Sequence, residues 1–533
     1  MTQLSSLATA RTTTTVNADA GALRQRVEEA AAKQLSTAPD ASGASAPAAL
    51  LASSAPSLVW SALPADRVVP PDNTYGASGL FSITQTPASA PPDDLSALFP
   101  KLAPAWSQAP ADDATSSLME RNYTRSKTGD LAGQWNGLGK SLLSRASAPS
   151  KGPLQYEQTY LSAADPSQPL KAQFAQLQHG ATTVHLQIKT RSGQTVDLQI
   201  AVNNQPEKLG QASSHGLQVS LNTSAPLSDT ERQALATLSD GLEEALAGLG
   251  SDQKLEMKLS GLLNYDRGVF SQLSLEIKNP TPSAALGAFA LKLGDGGNSL
   301  SYEGKAGKLD LRLDAAPLLP TGSAEQRQAA IALQLLRIDA AAARSHADEK
   351  LVALFKSGFS QLHGVAPNKP AEKPLESPGP MDAGVADDAQ AMLSGLVDFE
   401  ASFSGDFTRA NRWGSTNEQG HAQYAISQKT KVEADDKQKT ATIVQVQNEQ
   451  LQSTYAKARH GGMLDLSSGN YDRHTIQDSN TTTIAINVAK GKIAEAVRST
   501  DTRQLETEEM LVKHRVMERH ETPNHQRLVT LLV

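Results

Sequence analysis

The stretch 182-TTVHLQIKTRSGQTVDLQIAV-202 decides the fold of this chain. Apolar and polar residues alternate from Val184 to Ile188, and the alternation returns from Val196 to Val202. A period of two places every apolar side chain on one face of a strand. The short polar turn between the two runs, Arg191 to Gln194, contains a glycine. The stretch therefore predicts a β-hairpin with one buried face.

The same alternation recurs along most of the chain. On the N-terminal side of the proline-rich segment it is found at Leu217/Val219/Leu221, Leu255/Met257/Leu259, Leu273/Leu275/Ile277, Phe289/Leu291/Leu293 and Leu309/Leu311/Leu313. On its C-terminal side it is found at Val397/Phe399/Ala401/Phe403, Tyr424/Ile426, Val444/Val446 and Ile484/Ile486/Val488. One apolar and one polar face is typical of antiparallel sheets. We predict an α+β fold of mainly antiparallel β-sheets with helices packed on one face, preceded by a largely disordered N-terminal arm.

A helix is predicted within the first group of strands, over 228–249. Ser228 and Glu231 have the spacing of a capping box, in which each side chain bonds the other's backbone N–H. Apolar residues follow at steps of three and four from Leu235 to Leu249, and Gly250 ends the helix. We expect this apolar stripe to lie across the dry face of the sheet.

Further helices follow from the same spacing rule. The region Ser323 to His363 is expected to break into two helices, at Ala340 to Ala343 or at Ser345 to Glu349. The other predicted helical segments are Ala20–Leu35, Asp113–Arg145 with an interruption around Gly129 to Gly139, and approximately Asp387–Leu396.

Composition divides the chain into six segments. They are an Ala/Ser/Thr/Pro-rich arm (1–115), a helical connector (116–150), an antiparallel β domain (151–320), a helical region (321–364), a proline-rich linker (365–382) and a C-terminal β-rich domain (383–533). The segment Leu505 to His520 fits neither helical nor strand periodicity, and the apolar tail 528–533 could complete a sheet. Whether the two β regions pack together stays open at this point.

Composition also limits the classes of function. The formal net charge is −7 over 533 residues, without a long Lys/Arg cluster, so we expect no nucleic-acid partner. The chain has no cysteine, which excludes disulfides, thiolate nucleophiles and cysteine-ligated metal sites. No run of about 18 apolar residues indicates a transmembrane helix.

The N-terminal sequence 1-MTQLSSLATARTTTTV-16 lacks the charged and apolar regions of an ordinary secretory signal peptide. Its Ser/Thr-rich composition is compatible with an export signal that is not cleaved, but it is more typical of a solvated tail. The absence of cysteine favours export to a small degree.

Two glycine-rich motifs resemble ligand-binding loops. Gly137-Leu138-Gly139-Lys140-Ser141 ends like a phosphate-binding loop, but Gln134 occupies the position of the required first glycine. Gly294-Asp295-Gly296-Gly297-Asn298 resembles one calcium-binding repeat, whose ligands need a stacked neighbour. We interpret the first as part of a helix or loop and the second as a hairpin turn.

The remaining candidates for chemistry have equally plain interpretations. His514, His520 and His525, with Glu518 and Glu521 beside them, lack metal-ligand spacing, so we interpret them as exposed residues. Ser360 lies in Gly358-Phe359-Ser360-Gln361-Leu362, which lacks the second glycine of a nucleophile elbow. The acid pairs are adjacent in sequence, so strand neighbours would face opposite sides: Asp387–Asp388, Asp435–Asp436 and Glu508–Glu509. We assign no catalytic, cofactor-binding or metal-binding residue.

The hypothesis that follows is a non-enzymatic, exported or surface-associated bacterial protein that acts by binding or assembly through its β-sheet surfaces. The partner would be a protein or the export apparatus, and the bacterial origin is inferred from the alanine-rich composition alone. Two alternatives stay open. One is a hydrolase or carbohydrate-active enzyme on a β-sandwich, and the other is a cytosolic scaffold or regulator that docks a partner through its N-terminal arm.

Overall fold

The computed structural model describes residues 103–108, 113–125, 130–203, 215–251, 254–281, 284–314, 321–364, 383–435 and 440–533. Nearly all of the predicted arm, with its helix over Ala20–Leu35, and the whole linker 365–382 lie outside the described residues. The helices, strands and contacts of the structure are those of the described residues.

The strands form one antiparallel sheet of 15 strands, in the order β1-β2-β5-β4-β3-β6-β7-β8-β9-β10-β11-β12-β13-β14-β15. The first nine are β1 (Ala105–Trp106), β2 (Gln155–Leu161), β3 (Thr182–Thr190), β4 (Thr195–Asn203), β5 (Gly216–Thr223), β6 (Phe270–Lys278), β7 (Ala288–Gly294), β8 (Asn298–Gly304) and β9 (Gly307–Leu313). The last six are longer: β10 (Phe399–Ala410), β11 (Thr416–Asp435), β12 (Thr440–Lys457), β13 (Asp472–Ala489), β14 (Lys492–Val512) and β15 (Arg515–Leu531). The predicted α+β fold with a large antiparallel sheet is confirmed.

The helices lie between the strands in sequence. They are α1 (Ala114–Arg125), α2 (Leu131–Trp135), α3 (Leu138–Ala146), α4 (Leu170–His179), α5 (Asp229–Leu249), α6 (Ser260–Leu263), α7 (Ala324–Ser345), α8 (Glu349–Gly364) and α9 (Ala383–Met392). The capping box at the start of α5 is present as predicted, with Ser228 and Glu231 bonding each other's backbone. The break between α7 and α8 falls at His346, whose φ of 60° ends α7 in a left-handed conformation.

One predicted strand is wrong. Leu255, Met257 and Leu259 alternate in sequence, but no strand forms there. The N–H of Leu259 donates to the side chain of Gln361 on α8 instead of to a neighbouring strand. Backbone groups of this segment are therefore satisfied by a helix side chain, and alternation alone cannot distinguish this case from a true strand.

The main hydrophobic core lies between one face of the sheet and helices on that face. Leu242 of α5, Phe355 of α8 and the sheet residues Leu198 and Phe403 all belong to the same buried cluster. The 228–249 helix was expected to lie across the dry face of the sheet, and its buried residues belong to the same core as that face. Helix α4 is an exception among the helices, because it packs with Ala201, which faces the opposite side of β4.

The helix-covered face becomes polar towards the C-terminus. One row of directly paired residues crosses the sheet from β9 to β15 and reads Leu311, Ala401, Ile426, Glu449, Asn480, Thr502, Gln526. The apolar part of the row is covered by helices, and its polar residues need no such cover. Elsewhere on the same face, Ile443, Ile486 and Ala496 form a second, smaller core with Ala389 of α9.

The two β regions, left unconnected by the sequence, belong to the same sheet. Strand β9 pairs with β10 from Phe399↔Leu313 to Ser404↔Lys308. The ambiguous segment Leu505 to His520 forms the tip of a hairpin, β14–β15. Its two-residue turn is Lys513-His514, with φ values of 50° and 64°. Two positive φ values are typical of a type I′ turn, which usually contains Asn-Gly, and this explains why the sequence did not reveal the hairpin.

No helix in the described part of the chain is long and apolar enough to cross a membrane.

Candidate functional site

Strand β15 is the most exposed long element of the described structure. It pairs with β14 from Val497↔Leu531 to Val512↔Arg515 and occupies the end of the strand order. Every residue from 513 to 528 is exposed, so neither face of this strand is covered. A free edge of this length presents a row of backbone donors and acceptors to which another strand can bond.

Pro523 shows which backbone groups of β15 point outward. It pairs with Leu505 without a register shift at that position. Proline has no N–H and is tolerated in an edge strand where its nitrogen faces solvent. Because antiparallel residues direct their N–H and C=O groups alternately to the two sides, we assign the odd-numbered residues from Arg519 to Leu531 to the outward side. The assignment ends there because the register shifts beside Met517.

Apolar side chains lie near both ends of β15. Val516 and Met517 are 46% and 63% exposed, and Leu528 and Leu531 are 65% and 61% exposed. Single exposed apolar residues are common on proteins, but these accompany an unpaired backbone edge. A strand added to this edge would remove both apolar side chains and backbone groups from water.

The tip of the hairpin is held in place. The N–H of His514 donates to the backbone oxygen of Gly469 at 3.1 Å, and that of Lys513 donates to Asn470 at 3.0 Å. Arg459 donates to the backbone oxygen of Leu511. These bonds fix one end of β15, so that its edge is presented by an ordered element.

A second cluster joins the end of α7 to strands β11–β14. His346 stacks on Tyr455 with ring centroids 4.5 Å apart, and Tyr455 stacks on His474 at 4.7 Å. His346 Nδ1 lies 2.8 Å from a carboxylate oxygen of Glu418, whose other oxygen accepts from Lys457 at 3.2 Å. The four strands and the helix terminus meet around these side chains.

Electrostatics in this cluster favours a structural role. Burial tends to raise the pKa of Glu418, but the hydrogen bonds from His346 and Lys457 outweigh it and hold that pKa below its ordinary value. Burial and the carboxylates of Glu506, Glu418 and Glu508 raise the pKa of Tyr455 to about 12. Tyr455 is therefore a neutral phenol near pH 7, and Glu418 is an ionised group already paired.

A Ser–His–Asp arrangement lies on the opposite, polar face of β10 and β11. Ser404 Oγ is 3.1 Å from His421 Nε2, and His421 Nδ1 is 2.6 Å from Asp406 Oδ1. Gln423 Nε2 lies 3.1 Å from the same His421 Nε2. A proton on Nδ1 facing the aspartate leaves Nε2 to accept from the serine hydroxyl, which is the tautomer of a hydrolytic triad.

The surroundings of this arrangement differ from those of a hydrolase site. Asp406 is 89% exposed and His421 is 43% exposed. Phe403 is paired in both the β9–β10 and the β10–β11 ladder, and Gly405 is paired in the β10–β11 ladder. Residues of a ladder direct their backbone N–H groups within the sheet, whereas an oxyanion hole needs free donors directed at one point.

A shallow recess of about 410 Å³ lies beside α1 and α2, lined by Arg121, Asn122, Arg125, Asp130, Gly133 and Asn136. Asp130 caps α2 by accepting from the N–H of Gly133 at 3.0 Å. Asn122 donates to the backbone oxygens of Gln134 and Asn136. Asp130 and Asn122 are thus engaged in hydrogen bonds that stabilise α1 and α2, and they do not form an acid–base pair in the recess.

Both glycine-rich motifs belong to ordinary local structure. Gly137 precedes α3 with a φ of 73°, and its N–H donates to the carboxylate of Glu243 at 2.6 Å. The Glu243 carboxylate thus accepts the hydrogen bond from the backbone N–H that a phosphate would need. The segment Gly294–Asn298 is the turn between β7 and β8, as predicted, and Asp295 forms a bidentate ion pair with Arg191.

The C-terminal histidines do not converge. His514 lies in the hairpin turn, whereas His520 and His525 lie on opposite faces of β15, since their numbers differ in parity. His525 Nε2 is 2.7 Å from Asp501. Among the described residues, no group of three or more His, Asp or Glu side chains is arranged to hold a metal ion.

The other predicted residues are also separated. Ser360 lies in the interior of α8. Glu508 and Glu509 face opposite sides of β14, one near His474 and the other bonded to Arg473. Asp387 and Asp388 are exposed on α9, and Asp435 ends β11 while Asp436 lies outside the described residues.

The amino-acid sequence alone did not reveal the β15 edge, the His346–Tyr455–His474 cluster or the Ser404–His421–Asp406 arrangement. The triad had a partial signal, because Ser404 and Asp406 are two apart on a strand and must share a face. His421 joins them through the β10–β11 register, which pairs it with Asp406. Comparisons with protein-family models, curated proteins and solved structures find no match to this chain.

Proposed function

We propose that this protein is non-enzymatic and acts by binding or assembly through the free edge of β15, as an exported or surface-associated bacterial protein. The observation that supports the proposal is a 17-residue edge strand exposed on both faces and anchored at its tip. Natural proteins usually cover or shorten such edges. Strand addition supplies affinity through backbone bonds and specificity through side chains on each face.

The edge can be tested in the native host by photocross-linking. Gln526 is exposed on β15 and is replaced by a photoreactive benzoylphenylalanine. The same probe is placed in the His525→Pro and His525→Ala backgrounds. Proline removes the outward N–H of residue 525, whereas alanine removes only the side-chain hydrogen bond with Asp501.

A cross-linked adduct that forms in the parent and in His525→Ala, but is lost in His525→Pro, supports binding at the edge. An adduct that persists in His525→Pro contradicts it, because the contact then does not use the outward backbone. No adduct in any background also contradicts the proposal. Equal thermal unfolding midpoints of the variants establish that the hairpin is intact in each.

Export is tested separately by dividing a culture into medium, cell surface and cytosol. We expect the full chain in the medium and cell-surface fractions. The chain that lacks residues 1–60 is expected to stay in the cytosol. Exclusive presence of the full chain in the cytosol would remove the export part of the proposal while leaving the edge-binding part in place.

A second candidate function is ester hydrolysis at Ser404, favoured by the triad distances alone. Fluorophosphonate probes label serines that are activated by a neighbouring histidine. Labelling at Ser404 that is lost in Ser404→Ala and reduced in Asp406→Asn would establish this activity. An unlabelled Ser404 in the folded protein would leave the non-enzymatic proposal as the better account.

A further inference from the structure

We propose that the strand received by the β15 edge is β15 of a second copy of this chain, added antiparallel about a two-fold axis that passes beside Asn524. This inference rests on the proposed function. It names the partner, and it follows from the order of side chains along the strand.

A two-fold axis perpendicular to the sheet places residue 524 + n of one copy opposite residue 524 − n of the other. Because the faces of the sheet are preserved, opposed residues share a face and lie within contact distance of each other. Outward residues then oppose outward residues, as an antiparallel ladder requires.

Charge and apolar character are complementary in this register. Glu521 opposes Arg527, and by symmetry the ion pair occurs on both sides of the axis. Met517, at the register shift of β15, and Leu531, both more than 60% exposed in the single chain, lie at the two ends of this interface. Arg519 opposes Val529, against which its aliphatic stem can pack.

The same register accommodates Pro523. It opposes His525, so one backbone bond is missing on each side of the axis, and the outward pairs Glu521–Arg527 and Arg519–Val529 keep their bonds. At the axis itself, Asn524 opposes Asn524 of the second copy. This pair directs its backbone groups away from the new interface, so it is a non-hydrogen-bonded pair with closely spaced side chains.

Neighbouring registers are less favourable. An axis at residue 523 opposes Arg519 to Arg527 and Pro523 to itself, which repels like charges and removes two central bonds. An axis at 525 opposes Glu521 to Val529 and retains no ion pair between opposed residues. Of these three registers, the one about Asn524 therefore gives the best combination of ion pairs and backbone hydrogen bonds.

The absence of cysteine from the chain allows a clean test by disulfide formation. In Asn524→Cys the two new thiols face each other at a Cα separation of about 4.5 Å, within the range that a disulfide spans. The matched control is Gln526→Cys, exposed on the same face of β15. Its partner in the second copy is Thr522, so its own thiols are about 13 Å apart along the strand.

We expect Asn524→Cys to oxidise to a covalent dimer at least about tenfold faster than Gln526→Cys, since only the first thiol pair meets the geometric requirement. Equal rates, or no dimer of Asn524→Cys at concentrations that saturate self-association, would overturn the register. Non-reducing electrophoresis and sedimentation velocity of the full chain give the readout.

A charge exchange tests the same pairing without cysteine. Glu521→Arg alone and Arg527→Glu alone are expected to shift the dimer towards monomer, and the double exchange is expected to restore it. Restoration fails if these residues do not oppose each other. A photocross-linked adduct at Gln526 whose mass is not twice that of the chain would overturn the second-copy inference while supporting the edge-binding function.

Discussion

Replacement of Glu418 by glutamine removes the charge at the centre of the His346–Tyr455–His474 cluster while preserving its shape. The Glu418 side chain is only 9% exposed, with contacts of 2.8 Å to His346 and 3.2 Å to Lys457. Hydrogen bonds to charged groups contribute about 1.5–3 kcal/mol each. Lys457 is 45% exposed, so solvent screening reduces its share. We expect Glu418→Gln to lower the free energy of unfolding by about 2–3 kcal/mol at neutral pH.

The loss should depend on pH with a definite sign. The pKa of Glu418 is lowered in the folded protein, so its stabilisation is present above the ordinary value of 4.5 and disappears as pH falls through the folded value. The difference between wild type and Glu418→Gln should therefore be full at pH 7 and smaller at about pH 3.

The assay is urea unfolding followed by intrinsic fluorescence at both pH values, with the midpoint compared between the two proteins. The control is Glu303→Gln, because Glu303 accepts from Lys308 at 2.8 Å while being 57% exposed. We expect a change of less than about 1 kcal/mol for this exposed pair. A Glu418→Gln loss that equals the control at pH 7, or that is unchanged at low pH, would refute the electrostatic account of the cluster.

Three further outcomes are expected. Gly241→Ala should destabilise the protein by about 2–4 kcal/mol in thermal unfolding, because its Cβ would lie 2.5 Å from the backbone of Gly261 where α5 and α6 cross; an unchanged midpoint would exclude this close approach. His363→Phe should reduce the loss of stability between pH 6.5 and 4. In the wild type this loss reaches up to about 3 kcal/mol, because burial lowers the pKa of His363 to about 4 and only the unfolded chain takes up the proton in that interval. Parallel pH profiles of the two proteins would contradict this account. Tyr424→Phe should lower the denaturation midpoint by the equivalent of about 1–2 kcal/mol, since the hydroxyl donates at 3.0 Å to Glu449 in a buried setting, and no change would show that the bond is replaced by water.

The predicted strands were most reliable where one face is apolar. From Val184 to Leu313 each strand of the sheet alternates cleanly, because its inner face meets helices. Strands β12–β14 are 18 to 21 residues long, yet their apolar alternation covers only short stretches. The missing residues, such as Gln447 and Asn480, face a polar part of the same surface and therefore carry no hydrophobic signal.

The candidate sites could not be predicted for a related reason. Ser404, His421 and Asp406 are brought together by the β10–β11 register, and His346, Tyr455 and His474 come from three separate elements. Each residue has an ordinary local sequence. Proximity across strands is set by pairing, which single-chain periodicity does not encode.

The amino-acid sequence by itself determined the antiparallel architecture, the capped helix after Ser228 and the turn at Gly294 to Asn298, because these depend on neighbours within one turn or one hairpin. Only the tertiary structure decided that both β regions join in one sheet and that β15 ends it. A strand is an edge because no further strand among the described residues pairs with it. This is a property of the assembled sheet and cannot be inferred from the residues of β15 alone.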